Sequence, residues 1–300
     1  MITISSHPAS KIIYDSLEAL FYSRELFLSQ HQHFSFICGA ASDEPSHRSS
    51  FLSYLKQTQA DHQILPILAE EAIEEFLSDQ NPSNPDLGRF EKLIAECVDS
   101  VLIFPESAGS YAELGFFAAS EKIKNKTLVA NKNQTNSFIN LGLIPLYNRG
   151  LSPYIPMLVI GDNQQQSNKD IVGRLQITKK ARKYRTRLSF DEFIGLPEKH
   201  KMILIHELIR VLGYVTERNL FDCIHKVFKK YDVDNVKRLL AILIAMNYLR
   251  RNENGDYLIA KDAPALLEYE KDLFEKTKTE IYRFYQLHYE EALNSIEDIQ

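Results

Sequence analysis

The stretch over residues 93–119 constrains the fold more than any other part of this 300-residue chain. A helix end is followed by a short β-branched and aromatic run at residues 101–104, and then by a turn that contains Pro105 and Gly109. Apolar runs of this length, bounded by Pro and Gly, are typical of buried parallel strands. The Ala, Leu and Phe residues after the turn have helical spacing. The pattern predicts a strand, a loop and a helix, with the loop at the carboxyl end of the strand, where ligands bind in open α/β sheets.

Glu113 lies at the start of the predicted helix, and two interpretations compete for it. In the first, Ser110 is the N-cap and Glu113, three residues later, completes a capping box. In the second, the carboxylate lies at the mouth of the sheet beside two small residues, Gly109 and Gly115, which leave room for a ligand. A carboxylate in that position can attack, or stabilise, an oxocarbenium-like sugar carbon. We favour the second interpretation, which makes Glu113 the candidate catalytic residue.

The same stretch resembles a known class of proteins. The residues that carry the resemblance are Phe104-Pro105-Glu106-Ser107, Gly109-Ser110 and Glu113-Leu114-Gly115. They resemble the core of nucleoside 2-deoxyribosyltransferase-like proteins and, more closely, the effector proteins of bacterial retrons that join such a domain to a winged helix. Because the pattern spans a strand, a loop and a helix, it is more specific than a lone glycine motif. The resemblance implies substrate contacts by the turn residues, which are Glu106, Ser107, Gly109 and Ser110.

Composition limits the classes of protein to which this chain can belong. A hydrophobic content of 44% and a charged content of 25% are typical of globular domains, and 300 residues suggest two of them. No apolar run approaches the ~20 residues of a membrane-spanning helix, and the first residues lack the features of a signal peptide. The three cysteines are far apart in apolar settings, which favours buried thiols in a reducing cytosol over disulfides or a metal site. We therefore expect a cytoplasmic protein without a metal or a membrane contact.

Helices and strands alternate through the first half of the chain, which predicts a flavodoxin-like parallel sheet with flanking helices. The predicted helices are at residues 9–30, 48–55, 70–79, 86–97 and 111–119. The predicted strands are at residues 34–38, 62–66, 101–104 and 126–130, with one more at 157–160.

The strand at residues 34–38 ends in a turn that contains Gly39 and Ala40. Gly39 allows the backbone to approach a ligand closely. In deoxyribosyltransferase-like proteins the matching turn forms one wall of the nucleoside site, so the resemblance implies substrate contacts by Gly39 and Ala40. Two positions depart from that family, because its strand tyrosine aligns with Ile37 and its aspartate, six residues before the catalytic glutamate, aligns with Ser107.

Arg48 and Asp86 each allow two interpretations. Arg48 has the geometry to hold a substrate phosphate, but a solvated charge at a helix start is the commoner role for such a residue. The resemblance implies that Asp86 contacts the nucleobase, whereas the sequence favours a helix N-cap. Residues 137–142 are interpreted either as a loop over the substrate site or as an ordinary surface loop, and both remain open. The acidic helix at 70–79 is interpreted as a solvated face.

The predicted domains are a deoxyribosyltransferase-like domain at 1–165, a basic linker or helix at 166–195, and a winged-helix domain with a C-terminal helix at 196–300. A cluster of cations in the linker is either a solvated helix face or a contact with nucleic acid or another partner. We favour the contact, because clustered cations repel one another without counter-ions, and the net charge of −5 leaves nucleic-acid binding to local patches. The residues of this cluster are Lys179, Lys180, Arg182, Lys183, Arg185 and Arg187.

The last third of the chain has the element order of a winged helix-turn-helix. Helices are predicted at 199–214, 217–230 and 232–249, followed by a hairpin at 250–259 with an Asn-Gly turn. The third helix begins with Asp232 and Asp234, which repel phosphates. We therefore expect this module to bind protein, or structured nucleic acid at its basic wing, rather than to read duplex sequence. A closing helix at 263–296 is predicted to serve the core or an oligomer contact.

The resemblance implies a toxin of a retron anti-phage system that is held with a reverse transcriptase and its DNA–RNA product (msDNA). It implies cleavage of an N-glycosidic bond, with nicotinamide adenine dinucleotide (NAD) as the substrate and no cofactor. Nicotinamide leaves a cationic ring as a neutral group, so the absence of the family's aspartate at Ser107 fits this substrate, and Glu106 is a possible substitute acid. Homo-oligomers are expected, since neighbouring subunits complete the site in related folds. The alternative is a nucleotide-sensing or scaffolding module with a DNA-binding winged helix and no catalysis.

Overall fold

The computed structural model describes ten stretches of the chain. They are residues 7–29, 33–40, 45–58, 63–80, 86–132, 138–148, 153–154, 157–177, 186–289 and 292–293. The chain forms two compact units. The sheet unit comprises Gln30–Ile73 and Pro82–Tyr184, and the C-terminal unit comprises Met1–Ser29, Glu74–Asn81 and Arg185–Gln300.

The helices and strands are numbered here in chain order. They are α1 (Ser10–Phe21), β1 (Phe27–Leu28), β2 (His33–Cys38), α2 (His47–Gln57), β3 (Ile64–Ile67), α3 (Ala69–Gln80), α4 (Leu87–Cys97), β4 (Ser100–Ile103), α5 (Ala108–Ala118), α6 (Glu121–Lys124), β5 (Thr127–Asn131), a π-helix (Ile139–Leu143), α7 (Ile144–Asn148), β6 (Leu158–Val159), α8 (Gln164–Leu175), α9 (Glu198–Leu212), β7 (Tyr214–Val215), α10 (Glu217–Phe228), α11 (Val233–Ala245), β8 (Leu249–Arg251), β9 (Tyr257–Ile259), β10 (Leu267–Glu268) and α12 (Lys271–His288).

The sheet unit is built on five parallel strands in the order β3-β2-β4-β5-β6. Counted along the chain, these strands have the order 2-1-3-4-5, and the direction of winding reverses between β2 and β4. Every residue of β2 and β4 is buried, as expected for strands covered by helices on both faces. The predicted α/β class with a parallel sheet is confirmed, and each of the five predicted strands of the sheet is present.

Alternate side chains of the strands pack on opposite faces of the sheet, as the pleat requires. On one face, Ile37 and Phe104 form a core with Phe51 of α2 and Ile171 of α8. Phe36, the neighbour of Ile37, packs its ring edge-on against Phe117 of α5, with ring centroids 6.0 Å apart. This packing fixes α2 and α5 against the sheet, and so positions Gly39 after β2 and Glu113 on α5.

The C-terminal unit contains three helices, α9 to α11, followed by the hairpin of β8 and β9, with β7 as a third antiparallel strand. Asp232 caps α11, because its carboxylate accepts the backbone N–H groups of Asp234 (3.0 Å) and Asn235 (3.3 Å). Gly255 adopts a φ of 81° in the hairpin turn, a conformation that favours glycine. The predicted order of three helices and a hairpin is therefore present.

A buried carboxylate network lies within the C-terminal unit. Glu207 is fully buried and accepts hydrogen bonds from Arg210 Nε (2.8 Å), the backbone N–H of Leu266 (2.7 Å) and Tyr269 Oη (2.9 Å). Burial acts to raise its pKa, but the hydrogen bonds and charges of His206 and Arg210 hold that pKa below the usual value. The network joins α9 to the segment before α12.

Three predicted elements differ from the structure. The helix predicted at 9–30 ends at Phe21, because Phe27 and Leu28 pair as β1 with β10. The closing helix predicted at 263–296 begins at Lys271, because β10 occupies the residues before it. Residues 138–142 are helical, at and within the π-helix, rather than a loop, and residue 137 lies outside the described stretches.

The compact units also divide the chain differently from the predicted domains. Helix α1 groups with the C-terminal unit, where it packs along α12 and the Thr277 hydroxyl donates to the Ser16 carbonyl (3.5 Å). Helix α8, within the predicted linker, belongs to the sheet unit because Ile171 and Leu175 complete its core. Sequence spacing identified α1 but not α8, and it could not show against which partners their apolar faces pack. Among the described residues, no helix combines the length and apolar character needed to cross a membrane.

Candidate active site

A cavity of about 410 Å³ lies within the sheet unit at the carboxyl end of β2. It is close to the point where the strand order reverses, which is where ligands bind in open α/β sheets. Its walls come from β2 and the following turn, α2, α3, α4 and α5. Its polar lining includes Cys38, Arg48, Glu70, Glu91 and Glu113. We call it the Glu113 cavity.

Glu113 reaches this cavity because α5 starts earlier than the sequence predicts. Ser107 is the N-cap, its hydroxyl oxygen accepts the Ser110 N–H (3.2 Å), and the Ser110 hydroxyl oxygen accepts the Ser107 N–H (2.9 Å). The capping box therefore pairs Ser107 with Ser110, and the predicted box of Ser110 with Glu113 is wrong. Glu113 lies in the second turn of α5, so the helix start does not use its carboxylate.

The surroundings of Glu113 favour its protonated form. Burial, followed by the charge of Glu91, raises the pKa of Glu113 to about 7, while a hydrogen bond from the Cys38 thiol and the charge of Arg48 act in the opposite direction. Burial also raises the pKa of Cys38 well above its usual value, so the thiol stays neutral. Carboxylates that exchange a proton near neutrality are typical of catalytic sites.

Arg48 is buried, with 4% of its surface exposed. Its Nη1 donates to the Ala40 carbonyl (2.8 Å), and its Nη2 donates to both carboxylate oxygens of Glu70 (2.6 and 2.8 Å). The interpretation of Arg48 as a solvated charge is therefore wrong, whereas Glu70 is exposed, as expected for a solvated face, and pairs with Arg48 as well. Both terminal nitrogens of Arg48 are engaged within the protein, which weakens its candidacy as a phosphate ligand.

Glu106 is a structural acceptor at the edge of the site. Its carboxylate accepts the backbone N–H groups of Ala40 (3.3 Å), His47 (2.9 Å) and Arg48 (3.1 Å). One side chain thus joins the loop after β4 to the turn after β2 and to the start of α2. Glu106 is not part of the cavity lining, and its oxygens are committed to the backbone, so a role as substitute acid has no support in its position.

Gly39 is required where the turn after β2 meets α2. A Cβ atom at this position would lie 2.7 Å from Arg48 Cβ, 2.8 Å from Arg48 Cδ and 3.0 Å from Glu106 Oε1. The close approach predicted for Gly39 is therefore present, and it is an approach to the Arg48 side chain. The Ser107 hydroxyl also donates to the Gly39 carbonyl (3.1 Å), which joins this turn to the start of α5.

The remaining predicted site residues do not line the Glu113 cavity as far as the structure describes them. Asp86 is exposed and caps α4, where its carboxylate accepts the Arg89 N–H (2.9 Å), which confirms the N-cap interpretation. Gly109 is exposed at the start of α5. Arg187 pairs with Phe27 through an isolated bridge in the C-terminal unit. The rest of the basic cluster lies outside the described stretches: Lys179, Lys180, Arg182, Lys183 and Arg185.

Two glutamates of the cavity were missed as site residues in the sequence. Glu70 was assigned to a solvated face, and Glu91 follows the buried Phe90 within an ordinary amphipathic helix. Neither has a local signal, because each reaches the cavity through the packing of its helix against the sheet. Across the described stretches, no group of three or more His, Cys, Asp or Glu side chains is arranged to hold a metal ion.

Comparison with known proteins gives one family and two relatives. The family model described as STM3845 retron effector protein matches residues 44–251, which is more than half of the chain. A protein of Escherichia coli named "Retron Ec86 putative ribosyltransferase/DNA-binding protein" is 28% identical over 208 residues, covering 66% of each chain, or just under two thirds of that relative's length. "Retron Ec73 putative ribosyltransferase/DNA-binding protein" of Escherichia coli is 24% identical over 279 residues, covering 84% of this chain and 88% of that protein.

Proposed function

The chain belongs to the STM3845 retron effector family, and we propose that it is an N-glycosidase in which Glu113 is the catalytic residue. The proposed reaction cleaves the bond between nicotinamide and ribose in NAD and yields nicotinamide and ADP-ribose. The observation that carries the proposal is Glu113 itself, a partly buried carboxylate in a cavity at the carboxyl end of a parallel sheet, with a pKa of about 7. The ribosyltransferase names of the two relatives support a reaction at a sugar carbon.

The charges of the cavity fit a cationic reacting group. Among the described residues, three carboxylates line it, those of Glu70, Glu91 and Glu113, and one cation, Arg48, which is paired with Glu70. Negative charge stabilises both the pyridinium ring of NAD and the oxocarbenium-like ribose that forms as the ring leaves. Phosphates would be repelled by the same charges. The nicotinamide riboside half of the substrate therefore belongs in the Glu113 cavity, and the phosphates belong outside it.

In the proposed step, nicotinamide departs with the bonding electron pair while a Glu113 oxygen attacks or stabilises C1′ of the ribose. The leaving group becomes neutral as it departs, so it needs no proton from the protein. This explains why the position of the family's aspartate can be Ser107, whose hydroxyl caps α5 and donates to the Gly39 carbonyl. Burial would then favour catalysis, because it strengthens the interaction between the carboxylate and the developing positive charge.

The proposal extends to both units. The strand order 2-1-3-4-5 is that of flavodoxin-like sheets, which supports a deoxyribosyltransferase-like sheet unit. Three helices and a hairpin support a winged helix in the C-terminal unit, as does the DNA-binding name of the relatives. We propose that this unit holds the effector on its retron, through the reverse transcriptase and msDNA, and that the protein is a cytoplasmic homo-oligomeric toxin.

A second candidate function is a nucleotide-sensing or scaffolding module without catalysis. The observation that favours it is the loss of the two family residues that would assist the catalytic glutamate. Ile37 is an apolar core residue, and Ser107 is used as a cap. Such a module would bind the dinucleotide in the Glu113 cavity and leave it intact.

The test is nicotinamide release from NAD by the purified full-length protein, alone and with its reverse transcriptase and msDNA. Glu113→Gln should lower the rate by roughly 10³-fold or more. The matched control is Glu121→Gln, an exposed glutamate after α5 that pairs with Lys124 and should leave the rate unchanged. Retained activity in Glu113→Gln would contradict the assignment, and tight binding of intact NAD in every state would favour the sensing module.

A further inference from the structure

Glu91 is a carboxylate of the Glu113 cavity that the proposed first step does not use. It lies on α4, which is held on the sheet by its buried residues Phe90, Ile94 and Cys97. Its side chain is half-buried, and it forms no hydrogen bond or ion pair within the part of the chain that the structure describes. Glu70, by contrast, is fully engaged with Arg48.

The proposed reaction needs a base in its second half. After nicotinamide has left, a water molecule must attack C1′ and lose a proton, and a base within hydrogen-bond reach of that water accelerates the attack. Four groups that line the cavity can be compared as bases for this step. Glu113 is occupied at the sugar carbon, Glu70 is paired with Arg48, and the Cys38 thiol is neutral. The fourth, Glu91, shares the cavity and has no hydrogen bond or ion pair with any described residue.

We propose that Glu91 is the general base that activates this water, and that Glu113 forms a covalent bond to C1′ in the first step. The proposal rests on the proposed function. In the second step the water oxygen attacks C1′, the bond between C1′ and the Glu113 oxygen breaks, and Glu113 leaves as a carboxylate with the bonding electron pair. One proton of the water moves to a Glu91 oxygen and then to solvent. Two carboxylates in these roles are the pattern of retaining glycosidases.

The electrostatics of the cavity agree with this division of roles. Burial raises the pKa of Glu91, which brings a carboxylate closer to the range in which a base is effective at neutral pH. The charge of Glu91 also raises the pKa of Glu113. The other titratable or charged groups that line the cavity are Cys38 of β2, Arg48 of α2 and Glu70 of α3.

Rapid-mixing kinetics with NAD and the Glu91→Gln variant tests the proposal. The first turnover should release nicotinamide in a burst close to that of the unmodified protein, and steady-state turnover should fall by roughly 10²–10³-fold. Azide, a nucleophile that needs no base, should restore steady-state nicotinamide release at least about tenfold and give ADP-ribosyl azide. Without azide, mass spectrometry should detect one ADP-ribosyl group on the variant. The matched control is Glu96→Gln, on the same helix and outside the cavity lining.

Two outcomes would overturn the role of Glu91. One is unchanged turnover in Glu91→Gln. The other is loss of the burst together with the steady state, without recovery in azide, because that indicates a role in binding or folding. Failure of the proposed function is distinct, since the unmodified protein would then release no nicotinamide. A readout without substrate is the melting temperature measured as a function of pH. The midpoint that reports the ionisation of Glu113 should move to lower pH in Glu91→Gln, because the charge of Glu91 raises the pKa of Glu113. An unmoved midpoint would show that the two carboxylates do not interact.

Discussion

At the scale of the residue, Glu113 is a helical carboxylate whose pKa is unusually high. It is a carboxylate in the second turn of α5, yet burial and Glu91 hold its pKa near 7. From the sequence, Glu113 could be selected as the candidate residue, because its position after a buried strand is a local pattern. Its pKa could not be predicted, because that depends on Glu91 and Cys38, which approach it from α4 and β2.

The raised pKa of Glu113 predicts the pH dependence of the proposed reaction. A nucleophile must be ionised, and a raised pKa means that the ionised form is lost as the pH falls below about 7. We expect kcat/KM for nicotinamide release to rise about tenfold per pH unit below pH 7 and to level off above it. The measurement is initial rates at subsaturating NAD from pH 5 to pH 9. A profile that is flat through pH 7 would contradict the assignment of Glu113 as nucleophile.

At the scale of the element, the start of α5 shows what sequence can and cannot decide. Both Ser107 with Ser110 and Ser110 with Glu113 have the spacing of a capping box, so the local pattern allows two helix starts. The structure selects the first, and the Ser107 hydroxyl also bonds the Gly39 carbonyl, 68 positions away in the chain. Strands were easier to place, because a buried parallel strand is marked by its own apolar run.

The turn after β2 packs closely against α2, and this contact predicts the effect of the substitution Gly39→Ala. Gly39→Ala would place a Cβ atom 2.7 Å from Arg48 Cβ, so the turn or α2 must shift. We expect a loss of about 1–3 kcal/mol in the free energy of unfolding, together with reduced nicotinamide release, because Arg48 lines the cavity. Urea denaturation and the NAD assay measure these two effects.

Gly173→Ala is the matched control for that substitution. Gly173 is an exposed glycine of α8, and a Cβ atom there would meet nothing within 4 Å. Alanine has the higher helix propensity, so this variant should gain up to about 1 kcal/mol. If Gly39→Ala were as stable and as active as Gly173→Ala, the packing of the turn against Arg48 would not matter to the site.

At the scale of the whole molecule, the two compact units have different kinds of buried polar chemistry. In the sheet unit, the carboxylates of Glu70, Glu91 and Glu113 line a cavity, whereas the C-terminal unit surrounds Glu207 with donors. The helices and the hairpin of the C-terminal unit could be predicted from spacing and an Asn-Gly turn. The contacts of Glu207 with Leu266 and Tyr269 could not, because they lie 59 and 62 positions away.

The Glu207 network predicts a large effect on stability. Glu207→Ala removes the acceptor of Arg210 and Tyr269 and leaves a guanidinium that is largely buried without its partner. Breaking a buried ion pair in this way costs about 3–5 kcal/mol. Guanidinium denaturation of the full chain, followed by circular dichroism, should show the loss. Glu253→Gln, an exposed residue of the hairpin turn, serves as the control and should change stability by less than about 0.5 kcal/mol.

The way in which the Glu113 cavity is assembled has a consequence for synthesis on the ribosome. Its lining extends along the chain from Phe36 to Glu113, and Glu106 must reach back 66 positions to hold the Ala40 N–H. A nascent polypeptide therefore has no complete cavity until α5 has left the exit tunnel. The reaction proposed for Glu113 cannot begin on a nascent chain that ends before α5. We therefore expect no activity during synthesis until α5 has been made and the sheet unit has folded.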